Sequence, residues 1–490
     1  MALRFTLQFN RREFEYDVYN LIRAFYPMSE VVIWYAGEER PAGSFDGDFV
    51  VTYYDTHVSF STSVNGPMTS IQFLTGWEDR IRTKNEVKQL VYHILSEQTG
   101  HTLPWGDLTG IRPTKIAMKL LEEGHSDEEI RHEMEQTYFT SEGKINLALS
   151  VVHREQEILR RMHLKKGYSL YVGIPFCPTI CLYCSFGSNP LGRCKDMEEP
   201  YFQVLYRELA FISGEMKDFT LDTIYIGGGT PTSVSAERLD ELLSVLGRNF
   251  DLDHLAEFTV EAGRPDTITD EKLRVLKSYP VSRISINPQT MNQKTLDLIG
   301  RKHTTEDVIE KYYIARSMGF DNINMDLIVG LPGEGEPEVA YTLSEIRKLD
   351  PDSLTIHSLA LKRATRLNLF KDAYEPVSFQ NSAAIMDRTA ACAAEMGMQP
   401  YYLYRYKNMA GNFENVGYAR PGKAGIYNVL IMEEQQSILA AGSGASTKFV
   451  FDEGRRIERA ENVKDLSNYV QRIDEMCQRK KEGIDAYLRH

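Results

Sequence analysis

Between residues 168 and 357 the sequence repeats one rhythm. Short β-branched runs alternate with helical patterns. The candidate strands are Ser169–Ile174, Thr223–Ile226, Phe258–Glu261, Arg283–Asn287, Asn322–Val329 and Ser353–His357. Helical patterns lie between and after them, near 199–215, 236–248, 270–277, 293–300, 304–318 and 337–348. Parallel neighbours need a crossover, usually a helix, so repeated βα units imply a parallel sheet. Six units predict an α/β fold with a full or partial βα barrel, whose chemistry belongs at the carboxyl ends of the strands.

The rest of the chain reads differently. Residues 1–165 suggest a separate α+β module. Its β-rich runs are Ala2–Phe9, Val31–Tyr35, Phe49–Tyr54 and Val58–Val64, followed by helical patterns at Asn85–Glu97, Lys115–Glu123 and Asn146–Met162. Residues 376–490 suggest a C-terminal α+β cover over a barrel at 166–375. That region holds a helix near 379–397, an aromatic-basic stretch at 401–407 and a glycine-rich run at Ala440–Ser446. A charged amphipathic helix near 463–483 closes it. A chain of 490 residues is expected to hold two to four domains. No solenoid repeat or low-complexity tract interrupts it.

The net charge of −13 disfavours non-specific binding to nucleic acid or an anionic membrane. The first residues, MALRFTLQFN, lack the basic and apolar regions of a signal peptide. No stretch approaches the roughly 20 apolar residues that span a bilayer. A cytoplasmic protein is expected, with no nucleic acid partner and no membrane insertion.

Four of the six cysteines fall within 18 residues, a cluster that points to metal or redox chemistry in a reducing compartment. Cys177-Pro-Thr-Ile-Cys181-Leu-Tyr-Cys184 follows the first candidate barrel strand directly. Three close thiolates can hold three irons of a cubane and leave the fourth open. The competing reading is structural zinc with Cys194 as fourth ligand, although zinc sites usually pair C-x2-C halves. Cys194, Cys392 and Cys477 otherwise read as ordinary thiols.

The C-x3-C-x2-C spacing resembles the radical S-adenosylmethionine (SAM) superfamily. Tyr171-Val-Gly-Ile-Pro-Phe-Cys177 resembles the opening of the oxygen-independent coproporphyrinogen III dehydrogenase family, over roughly 168–450. The N-terminal module and Trp105–Lys115 resemble its HemZ-like branch. The resemblance implies a 4Fe–4S cluster on Cys177, Cys181 and Cys184. Its open iron would chelate SAM, and reductive cleavage would yield a 5′-deoxyadenosyl radical that abstracts hydrogen. It also implies an electron donor such as flavodoxin or ferredoxin.

Further matches carry the implied SAM contacts. Ile226-Gly-Gly-Gly-Thr-Pro-Thr232 resembles the family's glycine-rich motif, mapped to Gly228, Gly229 and Thr230, whose exposed N–H groups would face the ligand. Glu261 ends the third strand, where a carboxylate could take ribose hydroxyls. Gln289 follows the fourth, after Asn287-Pro288, where the backbone is expected to depart from the common pattern. Gly300-Arg301-Lys-His303 resembles a segment whose Arg301 would pair with the SAM carboxylate. Asp326 is expected at a strand end before the Gly330-Leu-Pro-Gly333 turn, and Ala360 at an adenine-packing position. Tyr171 and Tyr183 are further candidates beside the cluster. Each of these side chains also has an ordinary structural reading: salt bridge, helix end, tight turn or core.

Two departures stand out. Gly173 replaces a histidine common in relatives, and Phe186 replaces a further cysteine found in some. Tyr401-Tyr-Leu-Tyr-Arg-Tyr-Lys407 suits a flat macrocycle with carboxylates, with Arg405 and Lys407 for propionates. It reads equally as a half-buried strand. Trp105–Lys115 reads first as a helix entry and second as a ligand loop. The implied reaction is anaerobic oxidative decarboxylation of coproporphyrinogen III to protoporphyrinogen IX, in which each reacting propionate loses carbon dioxide and a hydrogen to become a vinyl group. The alternatives are a haem-binding or haem-trafficking chaperone and a radical enzyme on another tetrapyrrole.

Overall fold

The computed structural model describes residues 3–27, 29–185, 189–360, 381–406 and 413–489. The chain divides into two compact units, residues 1–152 with 404–414, and residues 153–403 with 415–490.

The first unit holds strands β1 (Arg4–Phe9), β2 (Glu30–Tyr35), β3 (Gly47–Tyr53), β4 (His57–Thr62) and β5 (Met68–Phe73) in the order β2-β1-β3-β4-β5. Helices α1 (Glu15–Phe25) and α2 (Arg80–Thr99) supply Val18, Leu21, Val87 and Val91 to a core shared with Phe5, Phe49 and Phe60 of the sheet. Strand β5 and helix α1 escape the sequence reading. β5 exposes every second residue, so it lacks the apolar density that marks a strand. Helices α3 (Thr114–Glu122), α4 (Asp127–Gln136) and α5 (Glu142–Leu159) follow. A reciprocal capping box between Ser126 and Glu129 starts α4, satisfying two of its free N–H groups.

In the second unit the six expected strands are β6 (Gly167–Ile174), β7 (Thr220–Gly228), β8 (Glu257–Glu261), β9 (Arg283–Ser285), β10 (Ile323–Val329) and β11 (Ser353–Ser358). They lie side by side in chain order, all parallel. Between them run α6 (Lys195–Glu215), α7 (Ala236–Asn249), α8 (Asp270–Lys277), α9 (Gln293–Leu298), α10 (Thr305–Ser317) and α11 (Glu336–Leu349).

The region read as a separate cover is built into this sheet. After α12 (Ala383–Glu395), β12 (Gln399–Tyr404) and β13 (Asn415–Ala419) extend it beyond β11. After α13 (Ile426–Glu433), β14 (Ser437–Ala441) pairs parallel to β6, and β15 (Ser446–Phe451) and β16 (Arg456–Glu461) follow. The result is one sheet of eleven strands. Edge strands carry unpaired N–H and C=O groups, and segments distant in sequence satisfy them here. The C-terminal amphipathic stretch forms two helices, α14 (Leu466–Gln471) and α15 (Ile473–Leu488).

The two faces of the parallel run differ chemically. The register aligns Tyr171 with Tyr225, Tyr225 with Thr259, and Thr259 with Arg283. It also aligns Ser285 with Asn324 and Asp326 with Thr355. Strand neighbours in register share a face, and residues two apart share it too. One face is therefore polar across all six strands, while Leu170, Val172, Ile224, Ile226, Val260, Ile284 and Met325 pack the other. Parallel strands covered on both sides usually read as continuous apolar runs. Here Thr223, Thr259, Arg283, Ser285, Asn324 and Ser353 are buried polar groups. Such a face is costly unless hydrogen-bonded, and it is the natural floor of a polar site.

The Ala440–Ser446 run turns against the start of that site. Gly442 has φ +110°, and a Cβ on it would come within 2.6 Å of the Gly173 carbonyl oxygen. The loop is fastened by Glu208 of α6, which accepts from the Gly442 N–H at 2.8 Å, Asn462 at 2.8 Å and Lys480 at 2.6 Å. The Tyr469 hydroxyl donates to the same carboxylate. Lys480 and Glu208 are both fully buried, and this pair is legible only in three dimensions.

Candidate functional site

The three cysteines sit on the loop leaving β6. Cys177 and Cys181 are buried and Cys184 is half-buried; none is in a disulfide. Backbone hydrogen bonds set the loop. Leu182 N–H donates to the Ile299 carbonyl at 3.0 Å, and Cys184 N–H to the Cys181 carbonyl at 3.1 Å.

The glycine-rich turn after β7 supports this loop in a way the sequence reading did not anticipate. The Gly229 and Thr230 N–H groups donate to the carbonyls of Ile174 and Phe176, each at 2.7 Å. They are thus engaged with the cysteine loop and not exposed toward a ligand. A Cβ on Gly229 would lie 2.5 Å from the Phe176 carbonyl oxygen, so only glycine permits this approach. Docking brings the Thr230 hydroxyl to 3.4 Å from the Cys177 sulfur.

Arg301 is likewise committed within the protein. Its guanidinium donates to the Tyr183 hydroxyl at 3.0 Å, the Gly263 carbonyl at 2.9 Å and the Asn287 carbonyl at 2.8 Å. These bonds make Arg301 a brace joining the cysteine loop to the ends of β8 and β9. Tyr183 packs on Leu296, Ile299, Ile328, Leu331 and Leu359. His303, beside Arg301, is held neutral: burial, then the Arg301 charge, pushes it down to about 3.

Glu261 ends β8 as expected. It accepts from the Tyr225 hydroxyl, and burial pushes its carboxyl up to about 7. Tyr225 stacks on Tyr427 with centroids 4.5 Å apart, and Tyr171 stacks on both at 6.3 Å. Asp326 lies in the middle of β10 and not at its end. Burial works against its charge, but the His357 interaction and the Asn324 amide at 2.7 Å outweigh it and hold the carboxyl below its usual range. Gln289 has φ +68°, the departure anticipated from Asn287-Pro288, and its backbone bonds to β10 on both sides. Ala360, half-buried, lies two residues beyond the end of β11.

At the other end of the polar face Arg283 is buried beside Glu257 and Tyr401, and donates to Ser353 at 3.2 Å. Glu257 accepts the Ile426 and Tyr427 N–H groups at 2.6 and 3.2 Å, which seats α13 and its Tyr427. Tyr225, Tyr427, His357, Arg283 and Arg264 were not singled out as site residues. The polar alternation of the strands was the available signal for those on strands; Tyr427 and Arg264 had none.

The macrocycle reading of 401–407 is corrected in part. Tyr401 and Tyr402 are buried, and Arg405 is buried and donates to the Leu108 carbonyl at 2.6 Å. Burial pulls the guanidinium down to about 10. Arg405 is therefore a packed residue of the first unit. Lys407 and residues 408–412 lie outside the described residues, as does Phe186. Trp105–Lys115 follows its structural reading. Trp105 donates to Glu414 at 2.7 Å, Asp107 pairs with Lys88, and Pro113 precedes α3.

Three thiols on one loop form a soft donor set of the kind that ligates iron–sulfur clusters. Among the described residues, no three His, Cys, Asp or Glu side chains converge as ligands of one metal. Cys392 packs near the Leu343 carbonyl, and burial pushes the Cys477 thiol up to about 11. No helix among the described residues is long and apolar enough to cross a membrane.

Residues 171–346 match the family model of the radical SAM superfamily. The chain is 42% identical over 470 residues to the oxygen-independent coproporphyrinogen-III oxidase-like protein HemZ of Bacillus subtilis, covering 93% of this chain and 92% of that protein. It is 37% identical over 198 residues to the heme chaperone HemW of the same organism, covering 40% of this chain and 52% of that one. The structure of coproporphyrinogen III oxidase (HemN) from Escherichia coli shares the fold, with a TM-score of 0.52 and 24% identity over 66% of this chain and 72% of that one. Near full-length identity, the family match over the polar-faced sheet and the cysteine loop agree: the chain carries a radical SAM domain and belongs to the HemN/HemZ family.

Proposed function

We propose that this chain holds a 4Fe–4S cluster on Cys177, Cys181 and Cys184, binds SAM over the adjoining polar face, and decarboxylates coproporphyrinogen III to protoporphyrinogen IX. The observation that carries the reading is the cysteine loop itself. Three cysteines, none in a disulfide, lie on one loop that is fixed by backbone hydrogen bonds to two neighbouring loops, at the carboxyl end of a parallel run with a polar face. When bound, the two groups supply one-electron cleavage of SAM and thereby a species able to take hydrogen from an unactivated C–H bond.

The chain's residues divide the remaining work. Glu261, at the carboxyl end of β8, is suited to accept ribose hydroxyls and is kept in place by Tyr225. Asp326 stays ionised through His357 and Asn324, which gives the face a fixed negative charge. Such a charge favours an amino or sulfonium cation over a neutral competitor. Arg301 orients Tyr183 and the loop ends; Gly228, Gly229 and Thr230 seat the loop; Gln289, bonded to β10, and Ala360, just beyond β11, are further candidate contacts. Tyr171 stacks with Tyr225 and Tyr427 to close the face on the β6 side. An electron donor of the flavodoxin or ferredoxin type completes the requirement.

Similarity to HemW supports a second reading, haem binding and transfer, because that relative is a heme chaperone. One assay separates them. The reconstituted protein is incubated anaerobically with SAM, reductant and coproporphyrinogen III, and products are read by mass spectrometry. Two successive losses of carbon dioxide coupled to 5′-deoxyadenosine support the decarboxylase. Stoichiometric haem binding, with deoxyadenosine but unchanged porphyrinogen, supports the chaperone. A product carrying the labelled SAM methyl group points instead to a methyltransferase on another tetrapyrrole.

A further inference from the structure

Arg264 is an unusual residue to find buried beside a cysteine cluster loop. It lies in the turn after β8 and is 4% exposed. Its Nε and Nη2 form a two-pronged pair with Asp266, at 3.0 and 2.7 Å. The remaining nitrogen, Nη1, reaches into the cysteine loop. It donates to the Thr179 hydroxyl at 2.7 Å and the Thr179 carbonyl at 3.2 Å, and it lies 3.8 Å from the Cys181 sulfur. Thr179 stands midway between Cys177 and Cys181, and its hydroxyl also donates to the Gly300 carbonyl at 3.4 Å.

The turn that carries Arg264 is itself rigid. Thr267 donates to the Arg264 carbonyl through both its N–H, at 2.9 Å, and its hydroxyl, at 2.7 Å. That hydroxyl also contacts Thr232 at 2.7 Å, in the glycine-rich turn. The guanidinium is thus anchored from behind and aimed at one sulfur. Asp266 sits on its far side, so the pair presents a directed dipole, positive end toward the thiols. In a buried setting such a dipole acts at low screening.

We infer that Arg264 is a positioning residue that also acts electrostatically. It fixes the C-x3-C loop through Thr179 and, with Asp266 behind it, sets the reduction potential of the cluster. The inference rests on the cluster reading above. Reduction adds one negative charge to a thiolate-ligated cluster, and a cation or N–H donor at a ligating sulfur stabilises the reduced form. Arg264 raises the potential, and the Asp266 charge limits the rise.

The two members of the pair therefore make opposite predictions, which a merely structural role does not. The test is a redox titration of the anaerobically reconstituted full chain, with mediators, followed by the electron paramagnetic resonance signal of the reduced cluster and by iron content. For Arg264→Gln, the ratio of reduced to oxidised cluster at a fixed poise should fall about tenfold, which is 59 mV for a one-electron couple. For Asp266→Asn the ratio should rise several-fold. Thr179→Val should release iron faster while leaving the ratio near that of the wild type. Equal potentials in all variants at full iron content, or shifts of the same sign in Arg264→Gln and Asp266→Asn, would overturn the inference. If Arg264→Gln fails to retain iron, Asp266→Asn alone decides, and an unchanged ratio overturns the proposal. A wild-type protein that takes up no 4Fe–4S cluster instead removes the cluster assignment, and this proposal with it.

Discussion

Glu261 offers a prediction that needs neither cluster nor substrate. Burial pushes its carboxyl up to about 7, the Asp326 charge adds to the rise, and the Tyr225 hydroxyl only partly offsets them. In the unfolded chain the same group titrates near its ordinary value of 4.5. Between these values the folded state holds a proton that the unfolded state has released. Stability therefore falls as pH rises through that window, at up to about 1.4 kcal/mol per pH unit, and the loss is complete above pH 7. The interval amounts to about 3 kcal/mol. Glu261→Gln keeps an acceptor for Tyr225 and removes the titration. Urea unfolding of the two metal-free proteins, run from pH 5 to pH 8, gives two stability curves whose difference cancels the other titrating groups. The variant should gain on the wild type by about 2–3 kcal/mol between the two ends, with most of the gain between pH 5 and 7. Curves that stay parallel within about 0.5 kcal/mol would show that Glu261 ionises normally and that the polar face is wetter than its burial implies.

Three further outcomes follow from the same geometry. Gly229→Ala sets a methyl against the Phe176 carbonyl at 2.5 Å; it should cost about 1–3 kcal/mol by overpacking and lower iron uptake, checked by unfolding and iron assay. Lys480→Met strands the buried Glu208 charge and should cost about 3–5 kcal/mol, while adding Glu208→Gln should recover part of it; a double variant no more stable than the single would refute the pairing. Alanine at Cys177, Cys181 or Cys184 should abolish cluster absorbance and SAM cleavage, whereas Cys194→Ala should retain full iron. Loss of iron from the Cys194 variant would revive a four-cysteine site.

The sequence determined a good deal by itself. The six βα units were visible because each strand and its helix carry their own periodicity within about thirty residues. The cysteine loop was visible because its spacing is local chemistry. Strand periodicity placed Glu261 at the end of β8, and Asn287-Pro288 forecast the irregular backbone at Gln289. What escaped was non-local. The β14 and β13 segments, read as part of a separate cover, complete the sheet at both ends of its parallel run, since pairing partners leave no mark on either strand. The glycine-rich turn looked like a ligand cradle, but its N–H groups serve the cysteine loop about fifty residues earlier in sequence. Nor does the sequence show that Arg301 has three partners inside the fold. Arg264 carries no signal in the sequence, because a lone arginine after a strand is ordinary until Thr179 and Cys181 stand beside it. Periodicity and loop spacing are written along the chain. The partner of a buried charge is chosen across it, and tertiary packing alone decides which group that will be.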